Sequence, residues 1–274
     1  MKGGYSWRVI SLTSIDVAVG AVVSSSVAMH LRGVVIDAVI LTVMGLTVWI
    51  IYAIDHLMDI WKLVKPASSE RHVFFQQYAT VLTRLMAFLL FVDGLLVLWL
   101  PVRVVVVGAL VGVVSLLYLL MQHRLHWVKE IFGAVLFTAG TWLPAMALGS
   151  TGIRVVDYFA IIIFLLIALL NLLVFSRHDE QEDRSDQRTS AATQLGRGQL
   201  DQWIRLVWIL QILICLIAWY NFKYVEELWV LYVMNMLLLI VDIFEPVLKR
   251  WQLYRIAADA VFWLPGAFFL VLVH

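Results

Sequence analysis

Long apolar runs separated by brief polar punctuation fill the chain from end to end. A helix needs about 20 predominantly apolar residues to cross a bilayer. Nine stretches approach or pass that length: roughly 9–29, 34–57, 77–100, 102–121, 130–148, 155–176, 203–220, 225–244 and 257–273. The eighth and ninth are short or interrupted. Pro66, Pro101 and the glycines of LGS and TGI fall at the boundaries, where helix breakers belong. The pattern predicts an all-α membrane protein, a nine-helix transmembrane bundle that takes up 1–274 as one integral membrane domain. The first run follows a basic start and could imitate a signal peptide. Its length from Val9 to Met29 favours a retained span. The only long polar stretch is Arg177 to Gln202.

Composition agrees with the pattern: 63% of the 274 residues are apolar and 14% are charged. Soluble domains are nearer a quarter charged, so the excess apolar surface needs lipid as its solvent. The single cysteine, Cys215, excludes an internal disulfide and any cysteine-pair metal site. The net charge of +1 names no partner, and no nucleic-acid partner is expected.

The distribution of basic residues does carry information. With the N-terminus in the cytoplasm, the inner segments hold fifteen: Lys2, Arg8, Lys62, Lys65, Arg71, Arg124, Lys129, Arg177, Arg184, Arg188, Arg197, Arg205, Lys249, Arg250 and Arg255. The outer segments hold four, Arg32, Arg103, Arg154 and Lys223, and Arg84 lies inside a helix. By the positive-inside rule this sets the topology. The cytoplasmic loops then fall near 58–76, 122–129, 177–202 and 245–256.

That topology brings two acidic pairs to one membrane face. Asp55 and Asp59 end the second helix, in IYAIDHLMDIWK, and Asp179 and Asp183 follow the sixth, in FSRHDEQEDRSDQR. Each pair is spaced i, i+4, so both carboxylates share one face of a continued helix. Like charges at that spacing cost a helix about 0.2–0.5 kcal/mol. A divalent cation would compensate them, and Mg2+ favours a few carboxylates together with waters and phosphate oxygens. Two such clusters facing one another would hold Mg2+ against a diphosphate. Glu180, Glu182 and Asp186 crowd the second pair, and spacing does not choose the ligands among them. Lys129 and Arg71 lie near the same face and suit an anion. His123 and His126 read as interfacial, and His56 and His178 have no metal-ligand spacing.

A charge at mid-membrane costs about 2.5–3.5 kcal/mol and is a functional hypothesis by default. Asp16 and Arg84 each fall about eight residues from the inner end of their runs, roughly 12 Å deep. They are expected to face the bundle interior and pair there. Asp242 and Asp259 are candidates for the same cavity, whereas Asp37, Asp93 and Asp157 read as structural.

With these residues in place, the chain resembles the UbiA superfamily of intramembrane prenyltransferases across nearly its whole length. The family's first motif, NxxxDxxxD, is matched at Asp55 and Asp59, with Ile51 where asparagine is usual. The second, DxxxD, is matched at Asp179 and Asp183 and runs on into RTSAATQLG, with Asp186 where glycine is common. Lys129, Gly133, Gly140 and Pro144 fit the pattern of the fifth helix. The resemblance implies a cavity capped on the cytoplasmic side and open sideways to membrane lipid, in a bacterial cell membrane. It also implies Mg2+ on the two motifs gripping an isoprenyl diphosphate, basic residues such as Lys129 and Arg71 sharing its charge, and transfer of the prenyl group to a lipophilic or aromatic acceptor. The alternative is a UbiA-type terpene cyclase, whose allylic cation closes on itself. A transporter would predict paired broken helices and internal repeats, and no repeat is legible.

Overall fold

The computed structural model of the protein describes residues 9–63, 65–250 and 253–273. Lys2 and Arg8 of the charge argument lie outside them, as do the side chains of His123, Lys249 and Arg250. Among the described residues the regular structure is entirely helical. The long helices are α1 (Ile15–Leu31), α2 (Ala38–Lys62), α3 (Glu70–Val97), α4 (Val102–Met121), α5 (Lys129–Leu148) and α6 (Val155–His178). Two short helices follow, α7 (Glu180–Ser185) and α8 (Ala191–Leu195). The chain continues through α9 (Arg197–Phe222), α10 (Glu226–Ile243), α11 (Glu245–Arg250), α12 (Tyr254–Ala260) and α13 (Leu264–Val273).

Seven helical segments among the described residues are long and apolar enough to cross a membrane, so this is a multi-pass membrane protein. The expected count was nine. The first, α1, has 17 residues, and α10 carries Glu226, Glu227 and Asp242 within its 18. The last predicted span is built from two pieces, α12 and α13, joined through residues 261–263.

Packing puts α6 at the centre. In its most apolar stretch 61% is buried, against 11% in α3. It packs on α5, α9 and α10, while α1 packs on α2, α5 and α13, α3 on α2, and α4 chiefly on α5. The apolar α3 and α4 therefore leave most of their surface for lipid, as a helix that is hydrophobic all round does in a membrane.

Several boundaries move with consequences for function. The second and third helices are longer than expected, leaving only residues 63–69 between them, so Asp59 and Arg71 both stand on helices. The first helix is broken: Ser14 has φ +58°, in the left-handed region, and α1 starts at Ile15. Asp16 thus lies in a first turn, not two turns deep. At the opposite end from the acid pairs, Asp37 caps α2, its Oδ1 accepting from the backbone N–H groups of Val39 and Ile40 at 2.8 and 3.0 Å.

At that same end Arg32 and Asp157 form a fully desolvated pair, their side chains 2% and 0% exposed. Arg32 Nη1 donates to Asp157 Oδ2 at 2.5 Å, and Nη2 donates to the Thr151 carbonyl at 2.7 Å. Arg154 donates to Asp157 as well, from its backbone N–H at 2.7 Å and from Nη2 at 2.8 Å. The network ties α1 to the start of α6. Removing one partner of a buried pair strands the other charge, at a cost of about 3–5 kcal/mol. Asp157→Ala should therefore lower thermal stability in detergent by that order, measured as loss of helical circular dichroism, and an unchanged melting temperature would refute the clamp.

Candidate functional site

The ends of α2, α5 and α6 and the start of α12 surround a cavity of about 430 Å³. Its wall on α2 runs from Ile40 to His56. Sixteen helical steps of about 1.5 Å make that roughly 24 Å, most of a bilayer's hydrocarbon thickness. The body is apolar, lined by Val43, Met44, Ile51, Val104, Leu136 and Phe137 among others. Its polar residues concentrate at one end, where Asp55, Asp179, Asp183, Lys129, Arg71 and Arg188 face it.

The chain folds so that the two acid pairs meet. Asp55 and Asp59 lie one turn apart on α2. α6 stops at Asp179, and α7 carries Asp183 back toward the cavity. Gln122, in the turn after α4, donates from Nε2 to Asp55 Oδ1 at 2.5 Å. Arg188 joins the pairs: Nη2 donates to Asp59 Oδ2 at 2.5 Å, and Nη1 to Asp183 Oδ1 at 3.4 Å. Arg255, on α12, donates to Asp179 Oδ2 at 2.5 Å. Asp59 itself does not line the cavity and stands behind Arg188.

The surrounding segments are fixed as tightly. Asp186 accepts from the Ser68 backbone N–H at 3.0 Å, and Lys65 Nζ donates to the Ser185 carbonyl at 2.6 Å. Ser190 caps α8 in a capping box with Thr193. Glu130 Oε1 accepts from the Ala191 N–H at 2.8 Å, and Ser176 Oγ accepts from the Ala192 N–H at 2.9 Å. Gly196, with φ +76°, makes the turn into α9, a backbone conformation that L side chains resist. So the polar stretch that looked like a loop is a folded floor for the acids.

Electrostatics follow from this burial. Desolvation raises the Asp183 carboxyl above the usual carboxylate range, a larger effect than the opposing pull of Arg188. Burial works against the charge on Arg188, but Asp59, Asp183, Asp55 and Asp179 outweigh it and hold the guanidinium more firmly protonated than usual. The four aspartates supply hard oxygen donors of the type Mg2+ takes. No three acids or histidines converge on one point among the described residues. An ion here would draw one or two carboxylates and complete its shell with water and phosphate oxygens, a donor set the site fits.

Lys129 faces the cavity from the start of α5, and among the described residues it makes no ion pair. Arg71 Nη2 donates to the Ser11 carbonyl at 2.9 Å, and its Nη1 lies 3.5 Å from His56 Nε2. Ile51 lines the wall one turn before Asp55.

Two expectations fail. Arg84 is exposed and does not pair with Asp16. The buried face of α3 carries His72, Phe75, Leu82 and Asp93, and Arg84 falls on the lipid side between the exposed Val81, Leu85 and Phe88. The break at Ser14 moves Asp16 to the acid-bearing end, where its electrostatic neighbours are Arg71 and Asp259, the latter in side-chain hydrogen-bond contact with it. Asp242 is not a cavity residue either. It holds Arg177 at 2.5 Å, and Glu245 holds the same Arg177 at 2.5 Å. Arg188, Arg255 and Gln122 were missed as site residues. Arg255 could have been found as the cation at the start of the last helix, whereas Arg188 stands five residues beyond Asp183 with Arg184 nearer in sequence. Gln122 has no signal in the sequence.

Neither a family model nor a curated protein sequence matches the chain. A solved structure does: the apo structure of a UbiA homolog from Aeropyrum pernix K1, with a TM-score of 0.66 and 14% identity, over 94% of this chain and 98% of that one. The chain therefore has the UbiA-type intramembrane fold.

Arg188 neutralises two acids from distant parts of the chain. Arg188→Ala should leave Asp59 and Asp183 facing each other, with a loss of about 2–4 kcal/mol in the ligand-free protein. Thermal unfolding in detergent measures it, and full stability of the variant would show that the bridge does not hold the two motifs together.

Proposed function

We propose that the protein is an intramembrane prenyltransferase: it ionises an isoprenyl diphosphate at the acid-bearing end and passes the prenyl group to a lipophilic or aromatic acceptor. The observation that carries this reading is the Arg188 bridge between Asp59 and Asp183 at the head of a long apolar cavity. A molecule with a highly charged head and a long apolar tail fits that division of the chamber. The UbiA-type fold supports the same class of reaction.

Each residue has a part in this chemistry. Lys129, with no carboxylate of its own, suits the diphosphate as a point charge. Arg188 and Arg255, now seated on carboxylates, offer forks that match phosphate oxygens equally well. Asp55, Asp59, Asp179 and Asp183 would hold Mg2+, which when bound supplies Lewis-acid stabilisation of the departing pyrophosphate. Fixed charges aimed at the leaving group act in a site sheltered from water, where such interactions are strongest. Val43, Ile51, Val104 and Leu136 keep water from the allylic cation. On this reading the acid-bearing end faces the cytoplasm of a bacterial cell.

The aromatic lining favours a second outcome from the same ionisation. Phe137 and Phe262, in edge contact at 5.3 Å between ring centroids, face the cavity together with Tyr52 and Phe175. Ring faces stabilise cations, as a cyclising chain would require. Incubation with the diphosphate alone separates the two: a terpene hydrocarbon or alcohol means cyclisation, and a requirement for a second substrate means transfer.

Asp55→Ala and Asp179→Ala should each lower turnover of geranylgeranyl diphosphate by at least about 100-fold, the scale of losing an electrostatic stabiliser. Pyrophosphate release measures this, with detergent-extracted folded protein as the control. Chelation with EDTA should abolish release and added Mg2+ restore it. Full turnover in excess chelator would end the metal reading.

A further inference from the structure

Every acid of the two motifs is already taken by a donor from elsewhere in the chain. Arg188 spans Asp59 and Asp183 at 2.5 and 3.4 Å, Arg255 holds Asp179 at 2.5 Å, and Gln122 holds Oδ1 of Asp55. Arg188 lines the cavity and Asp59 does not, so the guanidinium screens that acid from the chamber. The backbone under Arg188 is pinned from both sides. Its N–H donates to the Asp183 carbonyl at 2.8 Å, and its own carbonyl accepts from the Thr193 hydroxyl at 3.2 Å. Uncovering the two acids therefore takes rotation of one long side chain between staggered rotamers, not a movement of the floor. Lys129 differs from both arginines: it faces the same cavity with no carboxylate partner among the described residues.

We infer that Arg188 is a built-in counter-ion that keeps the metal site shut in the ligand-free protein, so that the diphosphate enters first and its arrival creates the affinity for the divalent cation. The inference rests on the prenyl-transfer reading and concerns the order in which its two ionic ligands bind. Charge removed from water carries it. A divalent ion arriving alone would have to push the guanidinium off two largely buried carboxylates and leave it stranded beside a second cation. A diphosphate offers the same guanidinium oxygens in matching fork geometry. The acids it uncovers are then the unpaired charges, and they call for a cation. Lys129, with no carboxylate to give up, is the first contact for the anion. Arg255 on Asp179 repeats the arrangement at the start of the second motif.

Linkage makes the effect reciprocal: the metal tightens the diphosphate by the factor by which the diphosphate tightens the metal. Arg188 thus changes partner, from carboxylate to phosphate, while the backbone around it stays in place. A permanent structural bridge would behave otherwise. With Arg188 fixed on its acids in every state, the affinity for the metal would not depend on the diphosphate.

Binding of Mn2+ to the purified full chain, followed by loss of the electron-spin resonance signal of the free ion, tests this without any turnover. In the absence of diphosphate, Arg188→Gln should bind Mn2+ at least about tenfold more tightly than the wild type, within the range usual for coupled sites. Mn2+ should also raise the melting temperature of Arg188→Gln and not that of the wild type, so a variant that folds less stably still reports. Lys129→Met removes a charge from the same cavity without uncovering an acid, and its Mn2+ affinity should stay near the wild-type value. The non-ionising analogue geranylgeranyl S-thiolodiphosphate supplies a measurement on the wild type alone. Quenching of tryptophan fluorescence should show that it binds in EDTA, and at least about tenfold more tightly with Mn2+. Equal Mn2+ affinity in the wild type and Arg188→Gln, or an equal gain in Lys129→Met, overturns the inference. So does a wild type that binds the analogue only when Mn2+ is present. The prenyl-transfer reading survives each of these results. Failure of the wild type to bind the analogue even with Mn2+ overturns that reading as well.

Discussion

Charge without water governs this molecule. An ion taken out of water is tolerated only where a partner of opposite sign and good hydrogen-bond geometry receives it, and the acid-bearing end of the bundle concentrates more carboxylates than any other part. Arg188 contacts Asp59 and Asp183, and Arg255 contacts Asp179. These contacts join the second helix, the sixth helix and the start of the last one. The positions of the long helices around the cavity mouth are thus set by ion pairs as much as by apolar packing, which lipid opposes only weakly.

The same constraint explains why the stretch after α6 folds. Backbone groups beside a lipid-walled chamber need partners, and they find them in side chains: Ala191 N–H on Glu130, Ala192 N–H on Ser176, Ser68 N–H on Asp186. Asp186 stands where a glycine would be common in the resembling family, and here its carboxylate bonds the segment before α3. The carboxylate thereby fastens two connections to each other. Arg177 does similar service one turn earlier, gathering Asp242 and Glu245 from the α10–α11 junction.

Legibility in the sequence followed the strength of the local signal. The long apolar runs dictated helices at nearly every expected place, because in lipid a backbone can satisfy its hydrogen bonds only within itself. The i, i+4 acid pairs were visible because chemistry needs them on one face. What failed was rotation and continuity. Nothing in the run from Val9 to Met29 announces the left-handed Ser14 that restarts the helix before Asp16. Nothing in the third run says which side faces the bundle, since Val81, Leu85 and Phe88 are as apolar as residues that are buried. In lipid both faces of a helix are apolar, so hydrophobic periodicity loses the contrast by which it orients helices in water. Arg84 was assigned inward on cost alone, but a long basic side chain on a lipid-facing helix can reach toward the interface. Asp259 was legible as a cavity candidate, but the same reasoning put Asp242 there, and Asp242 is taken up by Arg177 instead.

That asymmetry between long and short ionisable side chains also orders the site. Lysine and arginine can reach a cavity from a distance, and Arg188 and Arg255 do so from a loop and a helix start. Aspartate must be delivered by its backbone, so all four motif acids stand on helix ends or short helices. The result is a set of acids delivered by the backbone and attended by cations on long side chains. Under the proposed prenyl transfer, an incoming diphosphate would compete for guanidinium forks that are already desolvated, and the carboxylates it uncovered would be open to a divalent ion. Ile51 fits this division. One turn below Asp55, at the level where the wall becomes apolar, an aliphatic side chain extends the dry surface toward the charged head instead of adding a further polar ligand to it. The boundary between ion chemistry and hydrocarbon is therefore drawn within one helical turn of α2. On the proposed reading such a dry wall would serve an allylic cation, for which the nearest water is the competing nucleophile.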